Sequence, residues 1–282
     1  MIGKGKDIVK LTNCKIDAIK NITAQTAAVG VRMESVGAEL TMKDTDIDAY
    51  YYGLGVRNKE QKVDITNGTV KGWAAIMTSA GGLETGNGTL ASTGTTIDIK
   101  KAVLKSATVS NEDYGVVVLQ EKYNGVTLMI EGSTLEATDE NKDSKEIGVK
   151  ALSALDIRSY GNKVTVKNST LSSLYGENYI PLKDDTLHAA VVNLGWYGSN
   201  DQSTPADNII EIIGSQLKEK PGESLVYSYR EKAEKAYDKL TINGTDYDPA
   251  SGLICYGKQD LQSKIDNAIT NETILLPVGK YE

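Results

Sequence analysis

Three aspartates at alternating positions, Asp44, Asp46 and Asp48, are the first residues whose spacing suggests chemistry. Residues at i, i+2 and i+4 of a strand share a face, and carboxylates gathered on one face can hold a cation or act as acid and base. A turn expected at Asp44 takes that residue off the face and leaves Asp46 and Asp48. A second acidic run, Asp139, Asn141, Asp143 and Ser144, alternates like the start of an EF-hand loop. Ser144 stands where such a loop needs glycine and Lys150 where it needs a bidentate Glu, so no calcium loop is expected there. His188 is the single histidine, flanks the apolar run AAVVNL and has no nucleophile motif nearby, which gives no basis for a Ser-His-Asp or Cys-His device. Cys14 and Cys255 are too few for a zinc site or a disulfide scaffold, and neither a metal nor a cofactor is expected. Aromatic faces beside hydrogen-bonding side chains are a common way to hold a sugar ring. Tyr50 and Trp73, with Asp48 and Lys71 two residues before them, form such a candidate ligand-binding set, and Trp196-Tyr197 is a second aromatic candidate.

What must position these residues is a repeat. One ten-residue segment recurs eight times: VKLTNCKIDA from Val9, LTMKDTDIDA from Leu40, VDITNGTVKG from Val63, IDIKKAVLKS from Ile97, LMIEGSTLEA from Leu128, VTVKNSTLSS from Val164, IEIIGSQLKE from Ile210 and LTINGTDYDP from Leu240. Its first and third residues are always apolar, the period-2 mark of a strand with one buried face. The fifth is Asn13, Asp44, Asn67, Gly132, Asn168, Gly214 or Gly244, all residues that tolerate left-handed backbone angles, with Lys101 the exception. The sixth is small, which predicts Cys14 as a small buried residue, and the eighth is apolar or aromatic, ending with Tyr247. A second short apolar stretch follows each unit, among them GVRM at Gly30, AAIM at Ala74, GVKAL at Gly148 and GLICY at Gly252. The fifth positions are 23 to 46 residues apart, so a constant strand core is interrupted by insertions that belong in loops. A β-sandwich also alternates strands with turns, but it has no need of one template in every strand. Stacked coils do, because like positions lie above one another and fill the same layer of core.

Units such as VTVKNSTLSS and VDITNGTVKG resemble the pectate-lyase-like right-handed parallel β-helix proteins over roughly residues 7–256. The resemblance implies an all-β solenoid of about eight coils. It does not imply one activity, since that architecture carries polysaccharide lyases, glycoside hydrolases, phage tailspikes and adhesins. Lyases of this kind bind calcium on an outward strand face and use a nearby Arg or Lys as base, roles the resemblance would give to Asp44, Asp46, Asp48 and Lys71. The register of the template supports a plainer reading: Asp17, Asp48, Lys71, Lys105, Glu136, Ser172 and Lys218 form one outward column, a solvated ladder of mixed charge. The same register makes Tyr50 and Trp73 neighbours in adjacent coils, and it puts Cys14 and Cys255 too far apart to form a disulfide.

Composition removes other classes. Lys and Arg number 31 against 38 Asp and Glu, a formal charge of −7 that offers no attraction to phosphate backbones, so no nucleic acid partner is expected. No apolar run is long enough to span a bilayer, and the opening Met-Ile-Gly-Lys-Gly-Lys lacks a signal peptide's apolar stretch, so any export signal is expected outside these residues. Residues 1–257 are expected to form the β-helix. In residues 258–282, Leu261, Ile265, Ala268 and Ile269 give the stripe of a short amphipathic helix, followed by a strand from Ile274. This is either a cap or the start of a further β-helix domain. The functional expectation is a non-catalytic extracellular or cell-surface module, a stalk or a binding surface for glycans, with a polysaccharide lyase or glycoside hydrolase as the alternative.

Overall fold

The computed structural model describes residues 7–18, 28–79, 92–107, 115–138, 153–174, 190–195, 207–219, 224–228, 238–247 and 255–256. All regular structure in them is β, arranged in three long sheets through which the chain passes in turn. Sheet I holds β1 (Ile8–Thr12), β4 (Glu39–Lys43), β7 (Lys62–Thr66), β10 (Thr96–Lys100), β13 (Thr127–Glu131), β16 (Lys163–Lys167), β19 (Ile209–Ile213) and β22 (Lys239–Ile242), in that order and all parallel. Sheet II holds β2 (Lys15–Ala18), β5 (Asp46–Ala49), β8 (Thr69–Gly72), β11 (Val103–Ala107), β14 (Thr134–Thr138), β17 (Thr170–Leu174) and β20 (Gln216–Glu219). Sheet III holds β3 (Val31–Met33), β6 (Tyr52–Val56), β9 (Ala74–Thr78), β12 (Val117–Leu119), β15 (Leu155–Ile157), β18 (Ala190–Leu194) and β21 (Ser224–Ser228). Each template therefore supplies two strands and the apolar stretch after it a third, which is the plan of a parallel β-solenoid.

The register is the one the template requires. Val9, Leu40, Val63, Ile97, Leu128, Val164, Ile210 and Leu240 are successive partners across sheet I. From Leu40 onward this column is buried, whereas Val9 at the first rung is only partly so. Like side chains stacked on parallel strands about 4.8 Å apart fill one continuous core. Sheets I and II meet at the fifth template position, where every residue has a left-handed backbone: Asn13 at φ 53°, Asp44 at 50°, Asn67 at 58°, Asn168 at 48° and also Lys101 at 54°. Lys101 adopts the turn because its coil is held on both sides, although its side chain does nothing to favour it.

The small sixth position has a function of its own. Ser215 Oγ accepts the Ser169 N–H at 3.1 Å, Ser169 Oγ the Ser133 N–H at 3.1 Å, and Ser133 Oγ the Ala102 N–H at 3.2 Å. Each of these hydroxyls also donates to the carbonyl two residues earlier. Buried turn amides are thereby paired from one coil to the next. Cys14 stands in the same column but is half-buried, because it belongs to the first rung, and its thiol is free. The corner from sheet III back to sheet I has a comparable ladder. Asn208 accepts from both Asn162 N–H and Nδ2 and passes its own Nδ2 to Asp238 Oδ1 at 2.7 Å.

Sheet III does not alternate. Strands β9, β12, β15 and β18 are buried on both faces, which is why AAIM, GVVVL and AAVVNL read as continuous apolar runs. The expected stretch at Gly148 is displaced: the strand is Leu155–Ile157, and residues 148–152 lie outside those described.

The eighth template departs from expectation. Asn243 and Gly244 both have positive φ, and β23 (Thr245–Tyr247) turns back to pair antiparallel with β22 instead of entering sheet II, so Tyr247 does not continue the inward column. Sheet III likewise ends in an antiparallel strand, β24 (Cys255–Tyr256), against β21. The expected helix and strand of residues 258–282 lie outside the described residues, as do His188, the Asp139–Ser144 run and Trp196-Tyr197.

Candidate binding surface at an aromatic corner

In the second and third coils the passage from sheet II to sheet III is very short. β5 ends at Ala49 and β6 begins at Tyr52, while β8 ends at Gly72 and β9 begins at Ala74, so Tyr50, Tyr51 and Trp73 are themselves the corner. Such a bend leaves no space for an inward side chain. A Cβ on Gly72 would lie 2.7 Å from both the Ala74 and the Tyr51 carbonyl oxygens, so glycine is what lets the three backbones meet. The Trp73 N–H donates to the Tyr51 carbonyl at 2.7 Å, and Ser106 Oγ donates to the Trp73 carbonyl.

The aromatic neighbours expected from register are neighbours here: the Tyr50 and Trp73 ring centroids are 5.5 Å apart and their planes inclined by 52°. Two further rings join them. Tyr51 meets Trp73 edge-on at 4.5 Å and Tyr52 at 3.8 Å. Tyr51, Tyr52 and Trp73 pack on buried Ala74, Met77 and Val118, a small apolar cluster on the outer side of sheet III. The four rings are half-buried, with an apolar base and partly exposed edges. Their place after the template points to Tyr50 and Trp73 alone; the run Tyr50-Tyr51-Tyr52 is the sequence signal for the other two rings. At the tenth template position Ala18, Ala49, Gly72, Ser106, Ala137 and Ser173 are all small, and at Ala49 and Gly72 this column precedes the close corner.

Asp48 and Lys71 are direct partners in register between β5 and β8, with Asp17 below Asp48 and Lys105 above Lys71. The two residues stand on neighbouring strands about 4.8 Å apart. Elsewhere in the column Lys105 pairs with Glu136 at 3.3 Å. Exposed pairs of this kind stabilise by at most about 1 kcal/mol. Asp44 and Asp46 have other partners: Asp44 Oδ1 accepts from Asn67 Nδ2 and Asp46 Oδ1 from the Thr69 N–H, both at 2.8 Å. The three aspartates are thus divided between a turn ladder, a strand start and the charge column.

A second polar group lies on the outer side of sheet III, where the sequence reading had no candidate. Arg158 donates to Asp156 Oδ2 through Nε at 2.8 Å, and its Nη1 is 3.9 Å from Glu121 Oε1. Burial raises the pKa of Glu121 and of Asp156, and the Arg158 charge acts in the opposite direction on both. The signal for this group was an Asp and an Arg, two apart, within the otherwise apolar segment ALDIRS.

Comparison with known proteins returns no match from family models, curated proteins or solved structures. No described helix is long and apolar enough to cross a membrane.

Proposed function

We propose that this chain is a right-handed parallel β-helix module of an extracellular or cell-surface protein, that it acts as stalk and binding surface without catalysing a reaction, and that its ligand is a glycan. The observation that carries this reading is the Tyr50–Trp73 pair, 5.5 Å apart beside the Asp48–Lys71 register pair. Ring edges and faces on an apolar base can contact the C–H face of a sugar, while a carboxylate and an ammonium next to them can bond its hydroxyls.

A panel of soluble polysaccharides, assayed for binding and cleavage with and without calcium, tests this reading. On the glycan that binds, Trp73→Ala is expected to weaken affinity by about 1–3 kcal/mol while the chain stays folded. Unchanged affinity in folded Trp73→Ala removes this corner as the site. Calcium-dependent release of unsaturated sugar products, lost in Asp48→Ala, would replace the binding module by a lyase.

A further inference from the structure

On the outer side of sheet III one register column runs Met77, Val118, Asp156, Asn193. All four are buried, with no more than 3% exposure. Two apolar rungs show that the fold accepts apolar side chains in this column. The change to a buried carboxylate and amide therefore has no evident folding role, and buried ion pairs are commonly no more stabilising than apolar residues of similar size. Polar groups that the fold does not need, placed where they cost stability, mark a site of use.

The atoms here also lack partners. Asn193 Oδ1, Ser153 Oγ and Glu121 Oε1 are buried and make no hydrogen bond. Each such group costs about 1–3 kcal/mol while it is unpaired. Asn193 is the rung next to Asp156, and Ser153 is close to Asp156 as well: a Cβ on Gly115 would meet Ser153 Oγ at 2.8 Å and Asp156 Cβ at 3.0 Å. Glu121 joins through Arg158, whose guanidinium is held by Asp156.

We propose that Ser153, Asp156 and Asn193 form a binding site for a primary ammonium group. Ser153 Oγ and Asn193 Oδ1, neither with a hydrogen bond, and the Asp156 carboxyl can all accept, and an ammonium brings three donors and no acceptor. Asp156 and Glu121 are two carboxyls beside the single guanidinium of Arg158, and burial acts against the charged form of both, so a cation beside them is favoured and an anion is not. The site lies along the column whose Met77 and Val118 underlie the aromatic corner, but it does not depend on the glycan reading.

The test uses the full chain with ethanolamine, and with ethylene glycol and acetate at the same ionic strength, followed by the NMR signal of the Asn193 side-chain amide and by thermal unfolding. Ethanolamine is expected to shift that signal saturably and to raise the melting temperature; the other two are expected to do neither. Asn193→Val and Ser153→Ala should each weaken ethanolamine binding about tenfold or more. Asn193→Val, which continues the Val118 column, should leave the ligand-free stability unchanged or higher. The proposal is overturned if ethanolamine gives no saturable response, in which case the unpaired atoms hold water only. It is also overturned if ethylene glycol responds equally, or if the variants lose stability while binding is retained.

Discussion

The two corners that bound sheet II are turned by the same coils and are built in different ways. The corner from sheet I repeats a single solution: a left-handed fifth residue, then a small sixth residue whose hydroxyl, in Ser133, Ser169 and Ser215, accepts the amide of the coil before it. At the described part of the corner into sheet III the links between coils run through the backbone of Trp73, whose N–H donates to Tyr51 and whose carbonyl accepts from Ser106 Oγ. In the second and third coils it is one or two aromatic residues turning over a small tenth position, whereas β11 and β12 are joined by residues 108–116. A corner that must pair its buried amides with the next coil is held to one geometry. A corner whose length differs from coil to coil is not held to one set of side chains, and the candidate glycan surface is there.

The largest expected effect tests the close corner. Gly72→Ala should destabilise the protein by about 3 kcal/mol, because the three atoms nearest the added Cβ are backbone and cannot turn aside. Urea unfolding measures it, with tryptophan fluorescence reporting whether Trp73 moves; a cost below about 0.5 kcal/mol would show that the backbones are not in such contact. Next is the repeated corner. Ser169→Ala removes the acceptor of the buried Ser133 N–H and should cost about 1–2 kcal/mol, with faster hydrogen exchange at the Ser133 amide. Unchanged exchange there would mean the hydroxyl ladder does not hold the corner. The smallest effect is a gain. Lys101→Gly replaces a left-handed non-glycine residue at φ 54° and should stabilise by roughly 0.5 kcal/mol, the relief of side-chain strain less the added chain entropy. A loss of stability would show that Lys101 is held by contacts of its own side chain.

The dipeptide Asn-Gly occurs as Asn67-Gly68, at the fifth and sixth template positions, and as Asn243-Gly244, one position earlier, and both residues of each pair have positive φ. The first leads into β8, which lies between β5 and β11; the second turns back as the β22–β23 hairpin. The dipeptide alone permits either path, and its place in the template together with the strands on each side determines which one forms. Asp156 and Arg158 show the same limit. Their charges were legible in ALDIRS, but their burial and their contact with Glu121 depend on β12 and β15 being adjacent, a pairing across more than thirty residues of varying loop.

By itself the sequence determined the repeat: which residues face inward, where the coils turn, the register of sheets I and II, and from that register the pairing of Asp48 with Lys71 and the adjacency of Tyr50 and Trp73. Those features follow from local preference and from stacking like on like, and both are written in every template. Only the tertiary structure decided that sheet III is buried on both faces, that Tyr51 and Tyr52 complete the aromatic cluster, that Ser153 and Asn193 flank a buried ion pair, and that the eighth unit folds back. Each of these depends on what stands beside a residue in another coil, and insertions of unequal length keep that neighbour from being read along the chain.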